Sequence, residues 1–166
     1  MGRPLIAVAL AALLVGFAGC ASEPEPQTLE EKVQAAVDGG TPNVSFELVD
    51  QSGENRVYLE DRSASEGELL YDALRGSLLN SVDVAEASFQ ASPSVLKVGY
   101  ACLNGDTLLM TVGFERQGFD AQEIRSLIES DEWDRLEEVC EYVRYGDFVE
   151  PRLVIGEKDF LKVGAA

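Results

Sequence analysis

Histidine is absent from this chain of 166 residues, and lysine is scarce: four lysines and nine arginines stand against 30 acidic residues, a formal net charge of −17. Without histidine no Ser-His-Asp or Cys-His nucleophile can be assembled, and a Cys/His zinc site is not expected. A surface so negative repels phosphate, which proteins grip with Lys and Arg, so nucleic acid is not expected as a partner. No glycine-rich phosphate loop follows a strand-like run, and no Asp-x-Asp-x-Asp-Gly calcium loop is present. Cysteine is limited to Cys20, Cys102 and Cys140. No cofactor is implied.

Hydrophobic residues make up 46% of the chain, enough for one domain with a real core rather than a disordered segment. The acid excess admits two readings. One is a halophile surface, where molar salt shrinks the screening length to about 3 Å; the other is a solubility-tuned extracytoplasmic surface of ordinary origin.

The N-terminus carries the clearest signal. Met1-Gly2-Arg3 is short and positive, and an uncharged apolar core follows from Leu5 to Ala18, of signal-peptide length rather than the ~20 residues of a membrane span. It ends in Phe17-Ala18-Gly19-Cys20, which resembles the lipobox of prokaryotic lipoproteins, usually Leu-Ala/Ser-Gly/Ala-Cys, with Phe17 in place of the leucine. The resemblance covers residues 1–20 alone. It implies that 1–19 are a signal peptide, that the Cys20 thiol receives a diacylglyceryl group, and that cleavage makes Cys20 the new N-terminus. Two acyl chains anchor stably where one is marginal. An uncleaved signal-anchor and a plain secreted protein are the competing readings. Residues 20–27, rich in Glu and Pro, read as a solvated extended tether, and 28–166 as a single domain.

Within that domain, Thr28-Leu-Glu-Glu31 is a capping box and Gly39-Gly40 a helix stop. Val44–Leu48 and Arg56–Glu60 alternate as a hairpin around Ser52-Gly53. Ser65-Glu-Gly-Glu68 is a second capping box, opening a helix through Leu78, and Val82–Gln90 reads as a strand. The best-patterned stretch, 95–115, holds two alternating runs: Leu96, Val98, Tyr100, Cys102 and Leu108, Met110, Val112, Phe114. A three-residue loop, Leu103-Asn104-Gly105, would pair Tyr100 with Leu108 and place both runs on one face. Asp120 caps a third helix, and Trp133, Leu136, Cys140 and Val143 lie on the stripe of a fourth. Pro151–Ile155 and Phe160–Val163 read as a closing hairpin. The order αββαβββααββ predicts an α+β fold, an antiparallel sheet with helices packed mainly on one face.

Assigning Cys20 to lipid leaves Cys102 and Cys140 as an even pair in an oxidising compartment, expected to form a disulfide closing a loop of about 38 residues, worth roughly 3–4 kcal/mol. Asp134, Glu138 and Glu141 fall on one predicted helical face and form a weak metal candidate; a solvated acidic face is the simpler reading. Ser94-Val-Leu-Lys97 matches the Ser-x-x-Lys of penicillin-binding proteins in form only, since in a strand residues three apart point to opposite faces. Tyr142, Tyr145 and Phe148 either line a ligand groove or fill the core. Asn43-Val-Ser45 has the form of a glycosylation sequon.

Together these features point to a lipoprotein held at the cell membrane and facing outside the cytoplasm, acting as a non-catalytic binding or envelope-assembly module for an unknown protein or small-molecule partner. The alternative is a small surface-anchored hydrolase using carboxylates, which would need convergent acids in a concave pocket. A soluble intracellular protein would leave both domain cysteines reduced.

Overall fold

The Thr28 capping box closes as the sequence predicts: the Glu31 backbone N–H donates to the Thr28 hydroxyl at 3.2 Å, and the Thr28 N–H donates to the Glu31 carboxylate at 2.8 Å. It opens helix α1 (Leu29–Asp38). The computed structural model describes residues 28–38, 44–51, 54–147 and 149–164; the lipobox, the tether, Gly39-Gly40, Asn43, Ser52-Gly53 and Phe148 lie outside them. Strands β1 (Val44–Gln51) and β2 (Glu54–Asp61) form the expected antiparallel hairpin.

Helix α2 then runs from Leu70 to Ala91, and this corrects the strand expected at Val82–Gln90. Its buried face comprises Leu70, Leu74, Ser77, Leu78, Ser81, Ala85 and Ser88 among others, a helical spacing that becomes visible only when the serines are counted with the apolar residues. Ser81 and Ser88 satisfy their buried hydroxyls on the backbone carbonyls of Leu78 and Val84, at 2.7 and 2.6 Å. The second capping box forms by half, with the Ser65 N–H on the Glu68 carboxylate at 3.0 Å while the Glu68 N–H donates to the Ser65 carbonyl instead of its hydroxyl, and it shapes the turn before α2 rather than capping it.

Helix α2 carries the chain across the sheet so that β3 (Val95–Asn104) pairs with β2 in parallel. Strand β4 (Thr107–Glu115) returns antiparallel to β3. Helix α3 (Ala121–Glu129) follows, N-capped by Asp120 as expected, through bonds of 2.9 and 3.0 Å from the backbone of Gln122 and Glu123. A 3₁₀ turn (Trp133–Arg135) and the single turn α4 (Leu136–Val139) lead to β5 (Tyr142–Tyr145), antiparallel to β4. Helix α5 (Pro151–Gly156) takes the place of the first strand expected in a closing hairpin; of the second, Lys162 alone pairs, bridging Leu69. The α+β class stands, with sheet order β1-β2-β3-β4-β5 and one parallel pair that makes the sheet mixed.

The central hairpin keeps the parity expected of it by a different route. The connection is the two-residue turn Gly105-Asp106, with Gly105 in the left-handed region at φ +58°, and Asn104 pairs with Thr107. A bulge between Cys102 and Leu103 then restores the even register, so Tyr100 faces Val112 rather than Leu108. A second register shift near Asn55 turns Leu96 outward, 38% exposed, while Val95 is buried.

Rows of side chains cross the sheet on its inner face: Val57, Val98 and Phe114; Leu59, Tyr100, Val112 and Val143; Asp61, Cys102, Met110 and Tyr145. Helices α1, α3 and α5 all contact α2, and α2 lies on β3 and β4, so the described helices gather on this inner side. At one end of this core Phe119 packs edge-on against both Phe89 and Phe114.

Candidate functional site

On the opposite face no described helix covers the sheet. Here one cross-strand row reads Tyr58, Gly99, Gly113, Tyr142, and the next reads Glu60, Ala101, Thr111, Arg144. The two central glycines let the flanking rings fold down onto the backbone. A Cβ on Gly113 would lie 2.2 Å from Cε1 of Tyr142, and one on Gly99 would meet both the Tyr142 hydroxyl and the Tyr58 ring at 3.0 Å. The two tyrosines thus converge over Gly99 from either side. With Glu60, Ala101, Thr111 and Arg144 they border a shallow hollow of about 300 Å³.

The charge on this face differs from that of the whole chain. Among the described side chains at outward strand positions, Arg56, Lys97 and Arg144 stand with Glu47, Glu60 and Glu115, and Lys97 draws in Glu141, three cations to four anions, where the chain as a whole carries 13 to 30. Lys97 bridges the carboxylates of Glu115 and Glu141, the latter at 2.7 Å. Arg144 stacks over the Tyr142 ring at 5.4 Å and has no carboxylate partner among the described residues. Burial, reinforced by Glu141 and Tyr58, raises the Tyr142 pKa above the ordinary phenol value, so the hydroxyl remains a neutral donor.

Beneath the sheet lies a closed polar cluster. Asp61, fully buried, accepts from the Tyr100 hydroxyl, from Ser77 at 3.4 Å and from the Ser63 backbone at 2.8 Å. Cys102 accepts from the same Ser77 hydroxyl at 3.0 Å. Burial raises the Tyr100 pKa far above the phenol range, with Asp61 adding to the effect. These bonds fasten the end of β2 to β3 and α2.

A third feature is an apolar groove of about 520 Å³ between the β3–β4 turn and the C-terminal segment, walled by Leu70, Leu109, Leu153, Val154 and Phe160. Its lining contains one carboxylate, Glu150, and one ammonium, Lys162. A glycosidase-type carboxylate pair, set about 5 to 9.5 Å apart, is therefore not assembled there.

The residues singled out in the sequence are dispersed. Cys102 and Cys140 are free thiols, and the expected disulfide is not formed. The register gives the reason: Cys102 sits level with Tyr145, while Cys140 precedes Tyr142, so they differ by two strand spacings, about 10 Å, and at least ~10 Å along the strands. A disulfide tolerates Cα separations up to about 7 Å. Asp134, Glu138 and Glu141 do not converge on a metal site. Asp134 holds Arg152 at 2.9 Å, Glu138 lies 3.7 Å from Arg135, and Glu141 holds Lys97. Ser94 bonds Ser92 in a turn, away from the outward-facing Lys97. Tyr142 reaches the outer hollow, whereas Tyr145 faces the core, its hydroxyl buried without a described partner.

Sequence reasoning missed Tyr58, Gly99 and Gly113. The signal for them existed, since an isolated glycine in a strand marks close approach of another group. The chain matches no family model, no curated protein and no solved structure. Among the described residues, no helix is long and apolar enough to cross a membrane.

Proposed function

We propose that the chain is a lipid-anchored binding module held outside the cytoplasm at Cys20, and that the outer sheet face is the surface it offers to a partner without catalysing a reaction. The observation that carries the second part is the Tyr58-Gly99-Gly113-Tyr142 row with Arg144 beside it. Tyrosine and arginine are the side chains that most often dominate binding energy, because each offers a large rigid surface with a polar end. Their placement on a nearly charge-balanced face lets a partner approach without meeting the full negative field of the chain. The lipobox resemblance supports the first part: a tether from Cys20 to Thr28 would leave the domain free of the bilayer surface.

Two measurements test this. The intact mass of the native protein is expected to lack residues 1–19 and to carry an acylated Cys20; an intact Met1 or a bare Cys20 rejects the anchor. A photo-crosslinking residue placed at Thr111 in the hollow is expected to trap a discrete partner in host cells. The same probe at exposed Asp83 on α2 is expected to trap none, and Arg144→Glu is expected to remove the Thr111 adduct. Equal labelling from the two positions would reject the sheet face as the binding surface.

A further inference from the structure

We propose that the apolar groove at the C-terminal end is a self-association surface whose occupant is the same groove of a second copy of this chain. This is independent of the role assigned to the sheet face.

Phe160 is 79% exposed and Leu153 45%, both on the groove's own wall. Apolar side chains of that size, grouped beside a groove, mark a contact surface. The two charged residues of the lining, Glu150 and Lys162, are exposed, and neither side chain makes an ion pair or hydrogen bond with a described residue. By contrast Arg62, Lys97, Arg125, Arg135 and Arg152 each meet a carboxylate.

One unpaired acid and one unpaired base on an apolar groove form a self-complementary set. In a two-fold contact, residue i of one copy meets residue j of the other and the reverse. Glu150 of each copy then faces Lys162 of its partner, and Phe160 of each enters the opposite groove. Charge also favours this location. Two bodies of net charge −17 repel over most of their surfaces, and this lining is neutral, with one charge of each sign.

The test uses the full acylated chain in detergent, followed by sedimentation equilibrium. The wild-type chain is expected to dimerise. Lys162→Glu and Glu150→Lys are each expected to weaken the dimer about tenfold, because each puts like charges at both ends of the contact. An equimolar mixture of the two variants is expected to regain wild-type strength, since the mixed dimer restores both opposite-charge pairs. Phe160→Ser is expected to leave monomers with unchanged circular dichroism. A monomeric wild-type chain, a dimer indifferent to the reversals, or a mixture no tighter than its components would overturn the proposal. Recovery on mixing cannot arise from chains sharing a micelle or from a pair within one chain.

Discussion

Arg116 joins three elements through one guanidinium. Its Nη2 donates to the carbonyl oxygens of Phe89, at 2.6 Å, and Ser92, while Nε donates to that of Val95 at 2.7 Å. The Phe89 carbonyl is an orphan of the last turn of α2, that of Ser92 belongs to its C-cap and also accepts from the Val95 N–H at 3.3 Å, the third opens β3, and Arg116 itself follows β4. The cation also lies 5.0 Å from the Phe89 ring centre and at the negative end of the α2 dipole. Arg116→Met keeps much of the stem and removes all of these donors. A hydrogen bond to a charged group is worth ~1.5–3 kcal/mol, but the three share one partly buried cation and do not add, so the expected loss is about 3 kcal/mol. For a chain of this size, that lowers Tm by roughly 6–12 °C. Arg116→Lys keeps the charge without the planar fork and is expected to recover about half. Urea denaturation should show a lower midpoint at unchanged slope. If Arg116→Met moved Tm by less than about 2 °C, or lysine restored it fully, the fork would not be what fastens α2 to the sheet.

Alkaline pH should destabilise the domain. Burial pushes the Cys102 thiol up to about 11, partly offset by its Ser77 bond, and pushes Cys140 up to about 12. Both shifts favour the protonated form, so their contribution is complete below the unfolded thiol value near 8.5–9 and is lost as pH rises toward the folded values. The urea midpoint should fall between about pH 9 and 11, by on the order of 2–3 kcal/mol for Cys102 alone, and a Cys102→Ala, Cys140→Ala double variant should flatten that slope. Gly113→Ala places a Cβ 2.2 Å from the Tyr142 ring and should cost about 1–3 kcal/mol in urea titrations. That cost should vanish in a Tyr142→Ala background; if it persisted, the two residues would not be coupled. The halophile reading requires Tm to rise between 0.1 M and molar salt, as the screening length falls from ~10 to ~3 Å, and a salt-independent Tm would reject it.

What the sequence disclosed followed from how short-ranged each signal is. The Thr28 and Asp120 caps depend on four consecutive residues and appeared where expected. Strand alternation across 95–115 likewise gave the buried residues Val98, Tyr100, Cys102, Met110, Val112 and Phe114, but Leu96 and Leu108, expected on the same face, are exposed. Turn position was less legible, because a bulge near Cys102 offsets the parity error that a two-residue turn would otherwise create. Helix α2 was hidden for a chemical reason. Ser77, Ser81 and Ser88 are small enough to lie under a sheet and can return their hydroxyls to nearby groups, so a polar letter occupies a buried position. Read as polar, they break the helical period and leave Val82, Val84 and Phe89 looking like a strand. Helix α5 had its own overlooked sign in Pro151, which occupies the first turn because its missing N–H costs nothing there.

The outer face illustrates the opposite limit. Tyr58, Gly99, Gly113 and Tyr142 are spread over 85 positions of sequence, and nothing local joins them. They form one row only because β2 pairs with β3 in parallel, while β4 and β5 each reverse direction. An all-antiparallel sheet would have had a different register and a different row. The same crossover through α2 fills the inner side with helix and leaves the outer side to the tyrosines. A wholly polar outer face would need neither glycine. That two glycines accept their conformational cost in the middle of adjacent strands, with a tyrosine lying flat over each, is what distinguishes this surface from an ordinary solvated sheet face.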